Sequence, residues 1–347
     1  EAHAALPETV APSPAALVWK GRALLPAGQD GVSITIFDQE PTSIIAYALA
    51  SGAYKQYVQE AISSINQGDG EAGEAHVKAK AALPEELFST SVLYSESPLH
   101  CQFTVQDGSS DAPATLQVTA YYAPQFHEFR KEFLDGGDAA FVASLSRCMQ
   151  WESKGGKSNV YFAKTRDDRL IVKQLSKAEK QSILEFIPAY FKYLGTAREA
   201  GQESCLARIL GVYQVHITWQ GKEHGGGSVS SGKDVVMELL IMENFFYGRS
   251  IQRVYDLKGS ERDRYVVENP KAIGAVLLDE NLKEMNLSSP TVVGPYAFGR
   301  LQRAVWSDTG FLSNVGVMDY SLLVGVDKTK HELVIGIIDF IRQVQDG

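Results

Sequence analysis

The sequence contains little cysteine and no long hydrophobic run. Only three of its 347 residues are cysteine, and no two of them form a C-x-x-C pair. The sequence therefore predicts neither a disulfide framework nor a zinc site, and it favours a reducing, cytosol-facing location. No apolar stretch approaches the roughly 20 residues that a membrane-spanning helix requires, so no transmembrane segment is expected.

Positive charge is also scarce. The 33 Lys and Arg residues are outnumbered by 42 Asp and Glu residues, which gives a formal net charge of -9. This balance argues against a nucleic-acid partner. The acidic excess lies in residues 1–150, with 18 acidic and 8 basic side chains, whereas residues 151–347 carry 24 and 25. The second part of the chain is therefore nearly neutral.

Several catalytic motifs are missing. There is no H-E-x-x-H and no G-x-S-x-G in the sequence, which excludes the usual metalloprotease and α/β-hydrolase signatures. The H-R-D, D-F-G and A-P-E motifs of protein kinases are missing too, which disfavours a protein kinase.

Apolar periodicity divides the chain into regions. Residues 1–16 are rich in Ala and Pro and are expected to form a flexible linker, and residues 17–150 are expected to form a first structural region of strands and helices. Within that region, 67–86 has little to bury and is interpreted as a solvated insertion. A helical stretch at 125–148 is interrupted at Gly136 and Gly137. Residues 151–347 are expected to form the main core.

A glycine-rich hairpin opens that core. Predicted strands at 159–164 and 169–175 are preceded by Gly155, Gly156, Lys157 and Ser158. Backbone N–H groups of such a hairpin can hold phosphates, although a bare G-G-K-S is more often only a turn.

A lysine follows the hairpin at kinase-like spacing. Lys173 lies 17 residues after Gly156, in the second predicted strand, where it can reach ATP phosphates. A carboxylate on the next helix is expected to hold it. Glu179 is expected to complete an S-x-x-E capping box, so Glu185 is the preferred partner, with a solvated helix face as its alternative role.

Two aspartates flank a predicted strand pair near the end of the chain. Asp319 and Asp339 lie 20 residues apart, the first just before a strand predicted at 321–326 and the second near the end of a strand predicted at 333–340. In a phosphotransferase one aspartate accepts the proton of the nucleophile and a second holds Mg²⁺ at the phosphates. Aspartates beside a hairpin are also common turn residues, so their spacing indicates a phosphotransferase only in combination with Lys173.

A basic run lies between these motifs. Residues 249–264 contain five basic and three acidic side chains, among them Lys258. A solvated basic surface is the simplest interpretation of the composition alone.

Four segments together resemble the phosphatidylinositol phosphate kinase family. They are GGKSNVYFAKTRDDRLIVKQ, MENFFYGRSIQRVYDLKGSERDRYV, MDYSLLVGVD and IIDFIRQ. The similarity looks closest to the type III, PIKfyve-like phosphatidylinositol 3-phosphate 5-kinases, and it extends from about residue 17 to residue 343.

The resemblance implies a fold and roles for particular residues. The family has a two-lobed α/β (α+β) fold that is similar to SAICAR synthase and distantly to protein kinases. By similarity, Gly155 to Ser158 form the nucleotide loop and Lys173 contacts the phosphates of ATP. Lys258 supports the transferred phosphoryl group, Asp319 activates the inositol hydroxyl, and Asp339 binds Mg²⁺. Val324 stands where a protein kinase has a second metal-binding Asn, so the second metal ligand stays open.

The function implied is phosphorylation of phosphatidylinositol 3-phosphate at the 5-hydroxyl, on the cytosolic face of endosomal or vacuolar membranes. The alternative is a catalytically impaired nucleotide-binding or scaffold protein. Expected partners are the phosphoinositide lipid and unidentified regulatory proteins. The sequence stops at VQDG, where the family continues into a specificity loop. The 347-residue chain alone is therefore expected to bind ATP–Mg²⁺ weakly without phosphorylating lipid.

Overall fold

The computed structural model describes residues 27–29, 32–37, 40–67, 92–95, 99–107, 114–150, 161–219, 234–267, 275–288, 290 and 292–341. Its strands are β1 Ala27–Gln29, β2 Val32–Ile34, β3 Cys101–Asp107, β4 Ala114–Tyr121, β5 Cys148–Gln150, β6 Phe162–Thr165, β7 Leu170–Leu175, β8 Ile209–Trp219, β9 Asp234–Glu243, β10 Arg253–Leu257, β11 Val276–Leu277, β12 Ser321–Asp327 and β13 Glu332–Ile338. Its helices are α1 Pro41–Ala50, α2 Gly52–Gln67, α3 Ala123–Phe133, α4 Gly137–Leu145, α5 Lys177–Glu199, α6 Asp279–Ser288 and α7 Pro295–Asn314. The predicted α/β class is confirmed.

A large antiparallel sheet forms the first layer of the fold. Within the described residues it has seven strands in the order β3-β4-β8-β9-β7-β6-β5. Burial alternates along β4, as expected for a strand with one face against the core. Helices α1 and α3 contact this sheet through β8. The sheet thus carries β7, the strand of Lys173, between β6 and β9.

A smaller sheet carries the two aspartates. The described part of this sheet has four strands in the order β11-β10-β12-β13, with β10 and β11 parallel and the other pairs antiparallel. The backbone of Ile337 in β13 accepts a hydrogen bond from Ala207 and donates one to Cys205, both in the segment that leads into β8. The two sheets are therefore tied together by backbone hydrogen bonds.

The helix break expected at Gly136 is present. Helix α3 ends at Phe133 and α4 begins at Gly137. Gly136 takes a left-handed backbone with φ 78°, which glycine adopts without steric cost. The linker at 1–16, the insertion from residue 68 onward and the terminal VQDG lie outside the described residues. The proposed division of the chain at residue 150 stays a prediction.

A buried arginine holds this helix pair against the large sheet. Arg130 of α3 is fully buried and donates to the Asp138 carboxylate, to the Leu210 carbonyl at 2.8 Å and to the Tyr54 hydroxyl at 3.1 Å. The guanidinium also lies 4.5 Å from the centroid of the Phe141 ring. Burial raises the pKa of Asp138, but Arg130 and His127 outweigh it and hold that pKa at about 2. The pair is therefore charged and internal.

Candidate active site

The β12–β13 hairpin brings the two aspartates to the same end of the small sheet. Ser321 pairs with Ile338 in the antiparallel register, so Asp319 lies just before the first strand and Asp339 directly after the second. Both have left-handed backbones, with φ 66° and 60°. Aspartate is one of the few non-glycine residues that adopt this conformation readily, and such residues concentrate at functional sites.

Lys258 reaches this end of the sheet from β10. The last residue of β10, Leu257, pairs with Leu322 of β12, which places the next residue beside the approach to the hairpin. The Lys258 Nζ lies 2.8 Å from Oδ1 of Asp319 and 3.1 Å from its carbonyl oxygen. The DLKGS lysine and the MDYSLL aspartate of the sequence are therefore in direct contact.

Lys173 extends to the same place from the large sheet. Its Nζ lies 3.2 Å from Oδ1 of Asp339 and 3.8 Å from Oε1 of Glu179. Lys173 is 23% exposed, whereas Asp339 is 51% exposed and accessible to a ligand. A lysine of one sheet and an aspartate of the other thus form an ion pair across the gap between the sheets.

The predicted pairing of Lys173 with Glu185 is wrong. Glu185 is exposed on α5 and accepts a hydrogen bond from Gln181, one turn earlier. Glu179 has both of the roles that the sequence analysis assigned to two different glutamates, the capping box and the ion pair with Lys173. Its Oε2 accepts from the Ser176 backbone N–H in a capping box, while its Oε1 faces Lys173. A carboxylate has two oxygens, so a capping role does not exclude an ion pair.

The predicted nucleotide loop lies outside the described residues. Gly155, Gly156, Lys157 and Ser158 belong to residues 151–160, which join β5 to β6. The first residue of β6, Phe162, pairs with Lys173. The described strand that follows the loop therefore begins beside the lysine expected to contact phosphate, and the role of the loop stays a prediction.

The segment after β9 packs against the hairpin. The residues of ENFFYG place Phe245 against Gly336 of β13 and Phe246 against Gly325 of β12, so closely that an added Cβ on either glycine would overlap the ring. The glycines thus allow two aromatic rings to lie on the strands that carry Asp319 and Asp339.

Replacing Gly336 by Ala is expected to destabilise this contact. The added methyl group forces Phe245 to move, which costs on the order of 1–3 kcal/mol of unfolding free energy. Hydrogen exchange of the β12 and β13 amides measures the loss. Gly310→Ala is the control, because Gly310 lies inside α7 with open space around its Cβ position. Equal stability of the two variants would contradict the proposed packing.

The basic run is not simply a solvated surface. Arg264 is 16% exposed, and its guanidinium contacts the carboxylates of Asp256 and Asp279 at 3.2 Å and 2.7 Å. Sequence reasoning missed Asp279. The pattern that could have revealed Asp279 is an acidic residue directly after the apolar run AVLL, in the first turn of a helix.

The donors at the site fit a magnesium ion only in part. The described residues contain no group of three or more His, Cys, Asp or Glu side chains able to hold a metal. Magnesium is commonly bound by one or two carboxylates together with substrate phosphates and water, and a single exposed Asp339 is compatible with that mode.

Among the described residues, no helix is long and apolar enough to cross a membrane.

Comparison with known proteins gives the chain a family. A sequence profile described as "Phosphatidylinositol-4-phosphate 5-Kinase" matches residues 144–342. The chain is 41% identical over 344 residues to the 1-phosphatidylinositol-3-phosphate 5-kinase FAB1B of Arabidopsis thaliana, covering 93% of this chain and 18% of that protein. The human 1-phosphatidylinositol 3-phosphate 5-kinase is 42% identical over 235 residues, covering 67% of this chain and 11% of that protein.

A yeast relative gives the same result. The 1-phosphatidylinositol 3-phosphate 5-kinase FAB1 of Saccharomyces cerevisiae is 38% identical over 269 residues, which is 78% of this chain and 11% of that protein. The chain thus spans a fifth or less of the length of these relatives. The profile covers more than half of the chain, including Lys173, Lys258, Asp319 and Asp339. The chain belongs to the phosphatidylinositol phosphate kinase family.

Proposed function

We propose that the full-length protein transfers the γ-phosphoryl group of ATP to the 5-hydroxyl of phosphatidylinositol 3-phosphate. The observation that carries the proposal is the convergence of two Lys–Asp pairs, Lys173 with Asp339 and Lys258 with Asp319, at one end of the small sheet. Two lysines and two carboxylates are the groups that phosphoryl transfer needs for charge neutralisation, metal binding and proton acceptance. The choice of lipid rests on the names of the relatives.

Each side chain has a distinct role in the proposed reaction. Asp319 accepts the proton of the inositol hydroxyl as that oxygen forms a bond to the γ-phosphorus, while the bond from phosphorus to the ADP oxygen breaks. Lys258 keeps the Asp319 carboxylate oriented and supports the negative charge of the transferred group. Lys173 neutralises phosphate oxygens of ATP. Asp339 is the carboxylate that would hold Mg²⁺, which neutralises phosphate charge when bound.

The cellular location follows from the proposed substrate. Because phosphatidylinositol 3-phosphate is a membrane lipid, the protein would act as a peripheral enzyme at a membrane surface. The cytosolic face of endosomal or vacuolar membranes is the location that the family resemblance implies. Regulatory protein partners at that surface are part of the same proposal.

A vesicle assay tests the proposal. The full-length protein is incubated with γ-labelled ATP, Mg²⁺ and vesicles that contain phosphatidylinositol, its 3-phosphate or its 4-phosphate. Labelled phosphatidylinositol 3,5-bisphosphate from the 3-phosphate alone is the expected result. Label on no molecule would contradict a lipid kinase and support the catalytically impaired alternative, and label on protein only would contradict the lipid substrate and indicate a protein kinase instead.

The ion pair of Lys173 with Glu179 gives a further prediction. Glu179→Gln retains the capping box, since Gln at this position also caps, but removes the negative charge 3.8 Å from Lys173. A partly exposed pair contributes up to about 1 kcal/mol, so the KM for ATP is expected to rise roughly fivefold. Steady-state kinetics at varied ATP measure the change.

Glu185→Gln is the matched control, because Glu185 lies on the same helix and contacts Gln181 rather than Lys173. Its KM for ATP is expected to equal that of the wild type. A larger increase in the KM for ATP with Glu185→Gln than with Glu179→Gln would support Glu185, instead of Glu179, as the partner of Lys173.

A further inference from the structure

A buried carboxylate holds the turn that contains Lys258. Asp279 is the first residue of α6 and is 8% exposed. Its Oδ1 accepts hydrogen bonds from the backbone N–H of Lys258 at 3.1 Å and of Gly259 at 2.8 Å. Two consecutive backbone donors on one oxygen fix the direction of the chain directly after β10.

Arg264 closes the same turn from its far end. Its Nε donates to Oδ2 of Asp279 at 2.7 Å, and its Nη2 donates to Oδ1 of Asp256 at 3.2 Å. The carbonyl oxygen of Arg264 accepts from the backbone N–H of Glu280 at 3.0 Å. Both ends of residues 258–264 therefore attach to the first turn of α6.

The electrostatics agree with this geometry. Burial raises the pKa of Asp279, but hydrogen bonds from Arg264 and from the N–H groups of Lys258 and Gly259 outweigh it and lower that pKa overall. Asp279 is consequently a charged acceptor, whose bonds to backbone donors are stronger than those of a neutral group.

The turn decides where the amino group of Lys258 can lie. A lysine side chain has a flexible stem of four carbons and can point in many directions from a mobile backbone. With the N–H of Lys258 bound to Asp279, its Nζ meets Asp319 at 2.8 Å.

We propose that Asp279 is a positioning residue for phosphoryl transfer, which acts by holding the 258–264 turn so that Lys258 contacts Asp319. Arg264 is its counter-ion in this role. This role is one of positioning through Lys258 and needs no contact of Asp279 with substrate or ATP. This inference rests on the proposed function, and it adds the residue that aligns one of the catalytic side chains.

A double-mutant cycle on kcat tests the proposal. In the full-length protein, Asp279→Asn is expected to lower kcat for phosphatidylinositol 3-phosphate by on the order of tenfold to a hundredfold, as misplacement of a catalytic group does. The KM for ATP is expected to stay within about twofold of the wild type, because Lys173 and Glu179 are untouched. In a Lys258→Met background, Asp279→Asn is expected to change kcat by less than about twofold.

The cycle separates positioning from general destabilisation. If Asp279 only stabilised the fold, its loss would reduce activity equally with and without Lys258. Multiplicative effects in the double variant, or a wild-type kcat for Asp279→Asn, would overturn the inference while leaving the proposed function intact. A wild-type protein without lipid kinase activity would overturn the proposed function, and the inference with it.

Two further variants complete the design. Glu280→Gln is the matched control, since Glu280 is the next residue of α6 and its carboxylate contacts the exposed Lys283 at 2.8 Å. Its kcat is expected to equal that of the wild type. Gly259→Ala disturbs the turn while leaving the Asp279 side chain in place, because Gly259 has φ 68°, which alanine adopts only with strain, and its Cβ position faces open space.

If Asp279→Asn does not fold, Gly259→Ala tests the proposal in its place. It is expected to reduce kcat with an unchanged KM for ATP, and an unchanged kcat would overturn the inference.

Discussion

Replacement of Asp319 by Asn is expected to reduce kcat for phosphatidylinositol 3-phosphate by about 10³-fold, within the range of general-base catalysis. The amide of Asn has nearly the same shape as the carboxylate but cannot accept the hydroxyl proton. Asn also tolerates the left-handed backbone that Asp319 adopts at φ 66°, so the fold is retained. Steady-state kinetics of the full-length variant measure the loss, and its melting temperature is expected to match the wild type.

Asp168 offers a closely matched control. It has φ 61° and a side chain that is 54% exposed, compared with φ 66° and 52% for Asp319, but it lies in the β6–β7 turn and pairs with Lys164. Asp168→Asn is expected to keep wild-type kcat. Turnover by Asp319→Asn within tenfold of the wild type, or an equal loss in both variants, would contradict the assignment of Asp319 as the proton acceptor.

The second large effect concerns stability rather than catalysis. Asp138→Asn leaves the fully buried guanidinium of Arg130 without its counter-ion. Removal of one partner of a buried ion pair costs about 3 kcal/mol or more, because an uncompensated charge stays inside the protein. Hydrogen exchange of the α3 and α4 amides in the full-length protein measures the opening free energy of this region.

Two comparisons check the origin of that loss. Asp135→Asn changes an exposed aspartate three residues away and is expected to be neutral. The pKa of Asp138 is lowered to about 2 in the folded protein, so its stabilising contribution is present above the ordinary value of 3.8 and is lost as the pH falls through about 2. The difference between wild type and Asp138→Asn should therefore shrink on acidification, and a difference that stays constant would contradict the charged pair.

Local patterns were sufficient to predict the elements around the site. The strand predicted at 169–175 is present as β7, and the hairpin flanked by Asp319 and Asp339 is present as β12 and β13. Alternation along a strand and capping residues act within a few positions, so they are visible in the sequence. The contact between Lys173 and Asp339 spans 166 residues and depends on how the two sheets meet, which no local pattern encodes.

The errors at the site have a common cause. Glu185 was preferred over Glu179 because one side chain was given only one role, whereas each oxygen of Glu179 serves a different partner. Arg264 was counted as part of a solvated basic surface because one of its two carboxylate partners, Asp279, lies 15 residues later in the sequence, outside the basic run. The number of charged residues in a segment does not show whether a residue from another helix or strand pairs with one of them.

The most direct test of the central claim is a structure of the full-length protein with Mg²⁺ and a non-hydrolysable ATP analogue. The account predicts that the phosphates lie between the large and small sheets, with Lys173 Nζ on a phosphate oxygen and Asp339 on the metal. Lys258 should still contact Asp319, beside the γ-phosphate. Phosphates bound away from Lys173 and Asp339, or an Asp319 carboxylate remote from the γ-phosphate, would contradict it.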